Sequence, residues 1–251
     1  DADQASETRQ ALAPGTVVAI ETELYSARVI SAGGRLVSLK LKRFLTTIDP
    51  SSEPLEMVET PPGAAPPLGL RFLADDGKVE DDTTVEYTPD QAQIDLSGPD
   101  IATLILRGTL PSGGAIEKVL TFTGNAYPIT LEARAPTLPA RFTYIGVGWR
   151  RHVIATNSKD PDTRYRGAVL LQNDKLVHET PAAVPGTADA AKRFDPPIGW
   201  AGYADHYFLA ALAPDDPAKT AAAVSGERDG VQILLSTPRN DGGARFTVYV
   251  G

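Results

Sequence analysis

Residues 129–134 have the sequence ITLEAR, and residues 37–42 have the sequence VSLKLK. In both stretches an apolar side chain alternates with a polar or charged one. Successive side chains of a β-strand point to opposite faces of its sheet, so this period of two predicts strands with one buried and one solvated face. Strands of this kind are typical of antiparallel sheets.

Short runs with the same alternation recur along the chain between Gly, Pro and Asp residues. The further strand candidates are Thr16–Glu21, Tyr25–Ser31, Gln91–Leu96, Ile101–Thr109, Ala115–Phe122, Arg141–Gly148, Gly167–Leu171, Lys175–Glu179, Ala201–Tyr203, Tyr207–Ala213, Gly230–Ser236 and Arg245–Val250. Gly113-Gly114 and Gly242-Gly243 lie where tight hairpin turns need a positive φ. The sequence therefore predicts an all-β, almost entirely antiparallel fold with at least a dozen strands.

Residues Asp215 to Val224 have a helix-like composition, with Pro217 near a first turn and three consecutive alanines. An isolated helix of about ten residues is marginal without tertiary packing. Because the flanking segments both have strand patterns, a strand or a loop is the favoured interpretation of this stretch.

The 251 residues are enough for one large β-rich domain. The 22 Gly and 21 Pro are spread along the chain instead of marking one hinge, which predicts a single domain over residues 16–251 after a polar linker remnant at residues 1–15. No stretch approaches the roughly 20 apolar residues that cross a bilayer, and the first residues lack the pattern of a signal peptide. We expect the chain as given to be soluble, with any spanning segment of a parent protein outside it.

The charge of the chain limits its partners. A net charge of -8 argues against nucleic acid, which needs clustered Lys and Arg, and the same charge should repel anionic lipid headgroups. With no Cys, the chain has no disulfide, no thiolate nucleophile and no Cys-ligated metal.

The residues that could carry chemistry do not form a recognisable set. His152, His178 and His206 have no metal-binding spacing, and we interpret the carboxylate pairs Asp75-Asp76, Asp81-Asp82 and Asp215-Asp216 as solvated loop charges. Nucleophile-elbow and phosphate-loop motifs are also missing from the sequence. We therefore predict no catalytic, cofactor-binding or metal-binding residue and no cofactor.

The two tryptophans, Trp149 and Trp200, could stack against a sugar or, as the favoured interpretation, pack in the core.

Four segments carry a resemblance to a known family. They are Glu21–Lys42 with the Gly33-Gly34 turn, Lys118–Ala133, the step Tyr165-Arg166-Gly167-Ala168, and Gly199–Pro214, whose sequence GWAGYADHYFLAALAP includes Gly199, Trp200, His206, Tyr207 and Phe208. In their order along the chain these segments resemble the large periplasmic domain of the YidC membrane protein insertase family, over nearly the whole chain.

The resemblance implies a β-supersandwich like that of the galactose mutarotases, in the periplasmic part of a Gram-negative inner-membrane protein. It implies a non-catalytic role in membrane protein insertion, through contacts with the SecDF part of the Sec translocon or with nascent membrane proteins. The alternative is a carbohydrate-binding or carbohydrate-active β-sandwich, which coherent His and acid groups in a cleft would favour.

Two expectations about residues accompany the resemblance. We expect Gly199–Pro214 to serve the fold, with Trp200 and Phe208 packed between sheets. We expect the partner surface at residues 165–179, where two short strands flank Asn173-Asp174 and could present an unpaired backbone edge. The predicted contact residues are Arg164, Tyr165, Arg166 and Lys175.

Overall fold

The fold is built from β-strands. The structure, a computed structural model, describes residues 15–60, 64–152, 166–180, 183–184, 190–227, 230–240 and 242–251. These residues form twenty strands, include the 3-10 turn Pro217–Lys219, and contain no α-helix. The predicted all-β class with at least a dozen strands is confirmed. Within this part of the chain, no helix has the length and apolar character that crossing a bilayer requires.

The strands are numbered in chain order. They are β1 (Val17–Glu21), β2 (Tyr25–Ile30), β3 (Arg35–Leu45), β4 (Pro54–Glu56), β5 (Gly69–Ala74), β6 (Val79–Asp81), β7 (Thr88–Pro89), β8 (Gln93–Asp95), β9 (Ile101–Thr109), β10 (Ala115–Thr123), β11 (Ile129–Arg134), β12 (Phe142–His152), β13 (Gly167–Gln172), β14 (Lys175–Glu179), β15 (Lys192–Phe194), β16 (Ile198–Ala204), β17 (Leu209–Pro214), β18 (Ala221–Glu227), β19 (Gly230–Pro238) and β20 (Gly243–Val250).

The strands form three sheets. The five-stranded sheet has the order β4-β3-β2-β1-β8, and the six-stranded sheet has the order β15-β18-β19-β12-β5-β6. The nine-stranded sheet runs β14-β13-β16-β17-β20-β11-β10-β9-β7. Among the described ladders only β1 and β8 pair in parallel, so the predicted antiparallel character is confirmed.

One buried apolar cluster joins the three sheets. Strand β19 alternates half-buried and buried residues along its whole length, as a half-buried strand should. The cluster includes Leu39 of the five-stranded sheet, Trp149 of the six-stranded sheet and Phe246 of the nine-stranded sheet. The core therefore lies where the inner faces of the sheets meet.

The stretch with helix-like composition is mainly a strand. Pro217–Lys219 forms only a 3-10 turn, and Ala221–Glu227 is β18, which pairs with β19 from Ala221↔Ser236 to Glu227↔Gly230. The favoured interpretation of this stretch is confirmed. The preference of alanine for helix is weak, and pairing with a buried neighbouring strand overrides it.

Candidate functional site

The predicted partner surface is a β-hairpin at the end of the nine-stranded sheet. Strands β13 and β14 pair from Ala168↔Glu179 to Gln172↔Lys175. Asn173 and Asp174 form the two-residue turn with φ values of 50° and 59°. Both residues tolerate this left-handed conformation, which matches the twist of a hairpin.

Strand β14 ends its sheet, and it differs from the other end strands. Among the described residues no strand pairs with its outer side. The five other end strands are only two or three residues long, and β4 and β7 contain proline. Strand β14 has five residues and no proline, and its Leu176 is 66% exposed. Short length and proline protect sheet edges from pairing, so β14 is the least protected edge in the described part of the chain.

The structure separates the predicted contact residues that it describes. Arg166 is half-buried and directly precedes β13, whereas Lys175 is exposed beside the turn at the other end of the hairpin. The five-residue rise between these ends is roughly 17 Å. Arg164 and Tyr165 lie outside the described residues. Gly167 is required next to Arg166, because a Cβ there would collide with the carbonyl oxygen of Glu179.

The Gly199–Pro214 segment forms β16, a tight turn and β17. Asp205 organises the turn, since its carboxylate accepts hydrogen bonds from the backbone N–H groups of Tyr207 and Phe208, both at 3.0 Å. Its own N–H donates to the carbonyl of Phe208 at 3.0 Å. This is the side-chain-to-backbone bonding for which Asp is favoured in turns. His206, whose ring centroid is 4.4 Å from that of Tyr207, is exposed in this turn.

The expectation that Trp200 packs between the sheets is wrong. Its neighbour Ala201 is part of the buried core, and Trp200 is only half-buried. Because side chains alternate along a strand, Trp200 lies on the outer face of the nine-stranded sheet. Phe208 is half-buried in the turn and packs against the core. The fully buried tryptophan is Trp149, at 1% exposure.

A buried charged cluster, which sequence reasoning missed, lies behind the Gly33-Gly34 turn. We call Arg35, Asp82, Tyr87 and Lys118 the buried charge cluster. The Lys118 ammonium donates to a carboxylate oxygen of Asp82 at 2.8 Å and to the carbonyls of Gly33, Gly34 and Leu68 at 3.0, 2.8 and 2.8 Å. The Gly33-Gly34 motif thus supplies acceptors for the lysine that opens the Lys118–Ala133 segment.

The Asp82 carboxylate is held on both oxygens. Arg35 and the N–H of Leu70 donate to one oxygen at 2.8 and 3.0 Å, and the hydroxyl of Tyr87 donates to the other at 3.1 Å. The side chain of Asp82 is 0% exposed, so the interpretation of Asp81-Asp82 as a solvated pair is wrong for Asp82. Nothing in the neighbouring sequence distinguishes Asp82 from Asp81. Its partners Lys118 and Arg35 are 36 and 47 residues away.

Burial sets the electrostatics of the cluster. Loss of solvation lowers the pKa of Lys118 from 10.5 to about 8, an effect that the Asp82 carboxylate opposes. Burial, together with the Asp82 charge, raises the pKa of Tyr87 well above its usual value. The cluster has no exposed side chain that a substrate could reach, so its geometry supports a structural role.

The histidines are dispersed. His178 lies on β14 and His206 in the β16–β17 turn, while the side chain of His152 is outside the described residues. In the described ranges no three His, Asp or Glu side chains are grouped as metal ligands.

Comparison with known proteins identifies the family. The model of the YidC periplasmic domain family matches residues 17–242. The chain belongs to this family. It is therefore a periplasmic domain of a bacterial inner-membrane protein, and the resemblance seen in the four segments is confirmed.

Two relatives are the membrane protein insertases YidC of Syntrophus aciditrophicus and of Maridesulfovibrio salexigens. They are 28% and 31% identical to the chain over 92% and 84% of its length. The matched segments are 43% and 38% of those proteins, so the chain spans about two fifths of the length of these curated relatives.

Solved structures confirm the fold of this YidC periplasmic domain. A galactose mutarotase related enzyme from Lactobacillus acidophilus gives a TM-score of 0.56 at 10% identity, covering 94% of this chain and 97% of that one. A galactose mutarotase-like protein from Lactobacillus casei gives 0.57 at 12% identity, covering 94% and 100%. At these identities the likeness shows the fold alone, and it confirms the predicted mutarotase-like supersandwich.

Proposed function

We propose that this domain is a non-catalytic part of an inner-membrane insertase that assists insertion and folding of membrane proteins. It does so by contacting the SecDF part of the Sec translocon or emerging client chains. The observation that carries the proposal is the family match over residues 17–242, together with relatives that are membrane protein insertases.

The outer edge of β14, with which no described strand pairs, is the contact surface in this proposal. In a two-residue hairpin the pair that closes the turn is hydrogen-bonded, and bonded and non-bonded pairs then alternate. Gln172↔Lys175 closes this turn, so Leu176 and His178 direct their backbone N–H and C=O groups away from β13. An extended segment of a partner can pair with these groups as an added strand.

Proline substitution tests this contact in the full-length insertase. Leu176→Pro removes one outward N–H but leaves the bonded pairs with β13, whereas Leu176→Ala shortens the side chain and keeps the N–H. We expect Leu176→Pro to reduce copurification with SecDF or cross-linking to a nascent client several-fold, and Leu176→Ala to retain most of it. Undiminished contact in a folded Leu176→Pro variant, judged by circular dichroism, would exclude the β14 edge.

The positive charge of Lys175 beside the hairpin turn should affect the rate at which a partner associates. Lys175 is exposed at the rim of this surface in an acidic chain, and rim charges mainly change association rates. We expect Lys175→Glu to change the rate and salt dependence of association more than the dissociation rate, in surface plasmon resonance with SecDF.

The non-catalytic part of the proposal is tested by polarimetry. Mutarotases share the fold but need positioned acid and base groups, and His178 and His206 lie on separate elements of this chain. We expect galactose and glucose to mutarotate at the background rate. An acceleration that His206→Ala abolishes would show that the domain is an enzyme.

A further inference from the structure

The β3–β4 hairpin extends past its sheet and carries exposed apolar side chains. Pairing of β3 with β2 ends at Leu41↔Tyr25, and β3 continues to Leu45, which pairs with Pro54 of β4. Along this extension Phe44 is 41% exposed, Leu45 38% and Ile48 105%. Apolar side chains grouped in this way on a soluble surface usually mark a contact site.

The β16–β17 turn lies against this extension. The rings of Phe44 and Phe208 meet edge to face, with centroids 5.4 Å apart. Next to Phe208, Tyr207 is 80% exposed. Phe44, Leu45 and Ile48 on the hairpin and Tyr207 beside Phe208 are thus exposed on two elements that meet at the Phe44–Phe208 contact, and we call these four residues the apolar tip.

Several backbone N–H groups of the apolar tip have acceptors within their own loops. In the hairpin loop, N–H groups donate to acceptors within the loop in the pairs Thr46 to Glu53, Asp49 to Thr47, Ser51 to Asp49 and Ser52 to Asp49. In the β16–β17 turn, the Asp205 carboxylate accepts from the N–H groups of Tyr207 and Phe208, and the N–H of Asp205 donates to the carbonyl of Phe208. These bonds reduce the number of backbone amides that would lose water when the loops enter a medium of low polarity.

The charges beside the apolar tip also fit a lipid surface. Arg43 is exposed and forms no ion pair with the described residues, so its guanidinium is available to a lipid phosphate. Of the two acids of the loop, Glu53 lies 3.9 Å from Lys40. Asp49 accepts a hydrogen bond from Ser51 at 2.9 Å, which lowers the pKa of Asp49 and keeps it charged, so its carboxylate must stay at the level of the headgroups. Tyr and Arg beside aliphatic side chains are typical of the bilayer interface.

We propose that the apolar tip inserts into the interfacial zone of the membrane to which the parent protein belongs. As a domain of an inner-membrane protein, the chain has this bilayer within reach. The acidic body of the domain is repelled by anionic headgroups, so contact is confined to the tip and orients the domain on the membrane.

Site-specific fluorescence tests the insertion. The chain has no cysteine, so a single introduced one carries the probe. Ile48→Cys and, separately, Tyr207→Cys are labelled with nitrobenzoxadiazole. Each chain is held by a C-terminal histidine tag on vesicles of equal parts phosphatidylethanolamine and phosphatidylglycerol with some nickel-chelating lipid. We expect a blue shift of emission at both positions and several-fold quenching by lipids brominated near the headgroup.

Val79→Cys is the matched control. Val79 is 53% exposed on β6, an end strand of the six-stranded sheet, which contributes no residue to the apolar tip. Its label should remain unchanged on the same vesicles. In the Ile48→Cys background, Arg43→Glu should weaken quenching.

Three outcomes would overturn the proposal. They are an unchanged spectrum at both tip positions, an equal response at position 79, and a response at position 48 that needs SecDF or a client peptide instead of lipid. The last would assign the apolar tip to a protein partner. Copurification of the Leu176→Pro variant measures contact at the β14 edge instead of the apolar tip. The proposed partner contact and the proposed membrane contact can therefore fail separately.

Discussion

The ammonium nitrogen of Lys118 lies 2.8 Å from a carboxylate oxygen of Asp82, and both side chains are 0% exposed. A charge taken out of water is tolerated only when its partners compensate for the lost solvation. Arg35, Tyr87 and three backbone carbonyls complete that compensation. The carbonyls of the family motif at Gly33-Gly34 therefore help to compensate the buried charge of Lys118.

Replacing Lys118 should strongly destabilise the domain. Lys118→Met leaves three buried carbonyls without their donor and removes one cation from Asp82, which should cost about 3–5 kcal/mol of unfolding free energy. Urea titration measures the loss. Arg107→Met is the control, because the Arg107 side chain in the ion pair with Glu117 is 55% exposed and should contribute less than about 1 kcal/mol. Equal losses in both variants would contradict the structural role of the cluster.

Stability should rise between pH values of about 8 and about 10. Burial lowers the pKa of Lys118 from the ordinary 10.5 of an unfolded chain to about 8 in the folded one. Between these values unfolding takes up a proton, so raising the pH disfavours unfolding. Burial raises the pKa of Tyr25, Tyr87 and Tyr203 above the ordinary 10.0, so the trend should reverse above about pH 10. The urea midpoint should show the rise in the natural sequence and no rise in Lys118→Met.

The two tryptophans should differ in their effect on stability. Trp149→Ala empties a site in the core and should cost about 3–5 kcal/mol. Trp200→Ala removes a half-buried side chain from an outer sheet face and should cost about 1–2 kcal/mol. Urea unfolding of the two variants under one condition compares them. A greater loss for Trp200→Ala would mean that the outer face of β16 is covered.

Residues 16–251 should unfold as one unit. The apolar cluster contains side chains of all three sheets, so no sheet can separate without exposing the core of the others. We expect one calorimetric transition whose calorimetric and van't Hoff enthalpies agree. Two resolved transitions would show that the chain divides into separate domains.

Much of the strand pattern could be predicted from the sequence. The predicted boundaries of Ile129–Arg134 and Lys175–Glu179 agree with β11 and β14, because clear alternation and turn residues define them locally. Strand β5 was missed although Leu70, Phe72 and Ala74 alternate, since it lies between loop-like stretches. The short end strands β4 and β6 carry too few residues for a period to appear.

The buried charge cluster could not be predicted in this way. Burial of Asp82 depends on Lys118 and Arg35, which only the completed fold brings near. The position of Trp200 on the outer face of its sheet also depends on the completed fold. The period of a strand shows that its two faces differ but not which one meets the core. The β14 edge was predicted, since a hairpin with a two-residue turn is a local feature.

The Lys118 hydrogen bonds have a consequence for folding kinetics. They join residues 36, 50, 84 and 85 positions apart, so they form only after β10 has met the β2–β3 turn and the strands around Asp82. We expect folding to nucleate on local hairpins and a few strand pairings, and to form these hydrogen bonds after the transition state. Lys118→Met should then accelerate unfolding and leave the refolding rate nearly unchanged. If this variant behaves as expected, the contacts of Lys118 with the Gly33-Gly34 turn form late in folding and set the lifetime of the native domain.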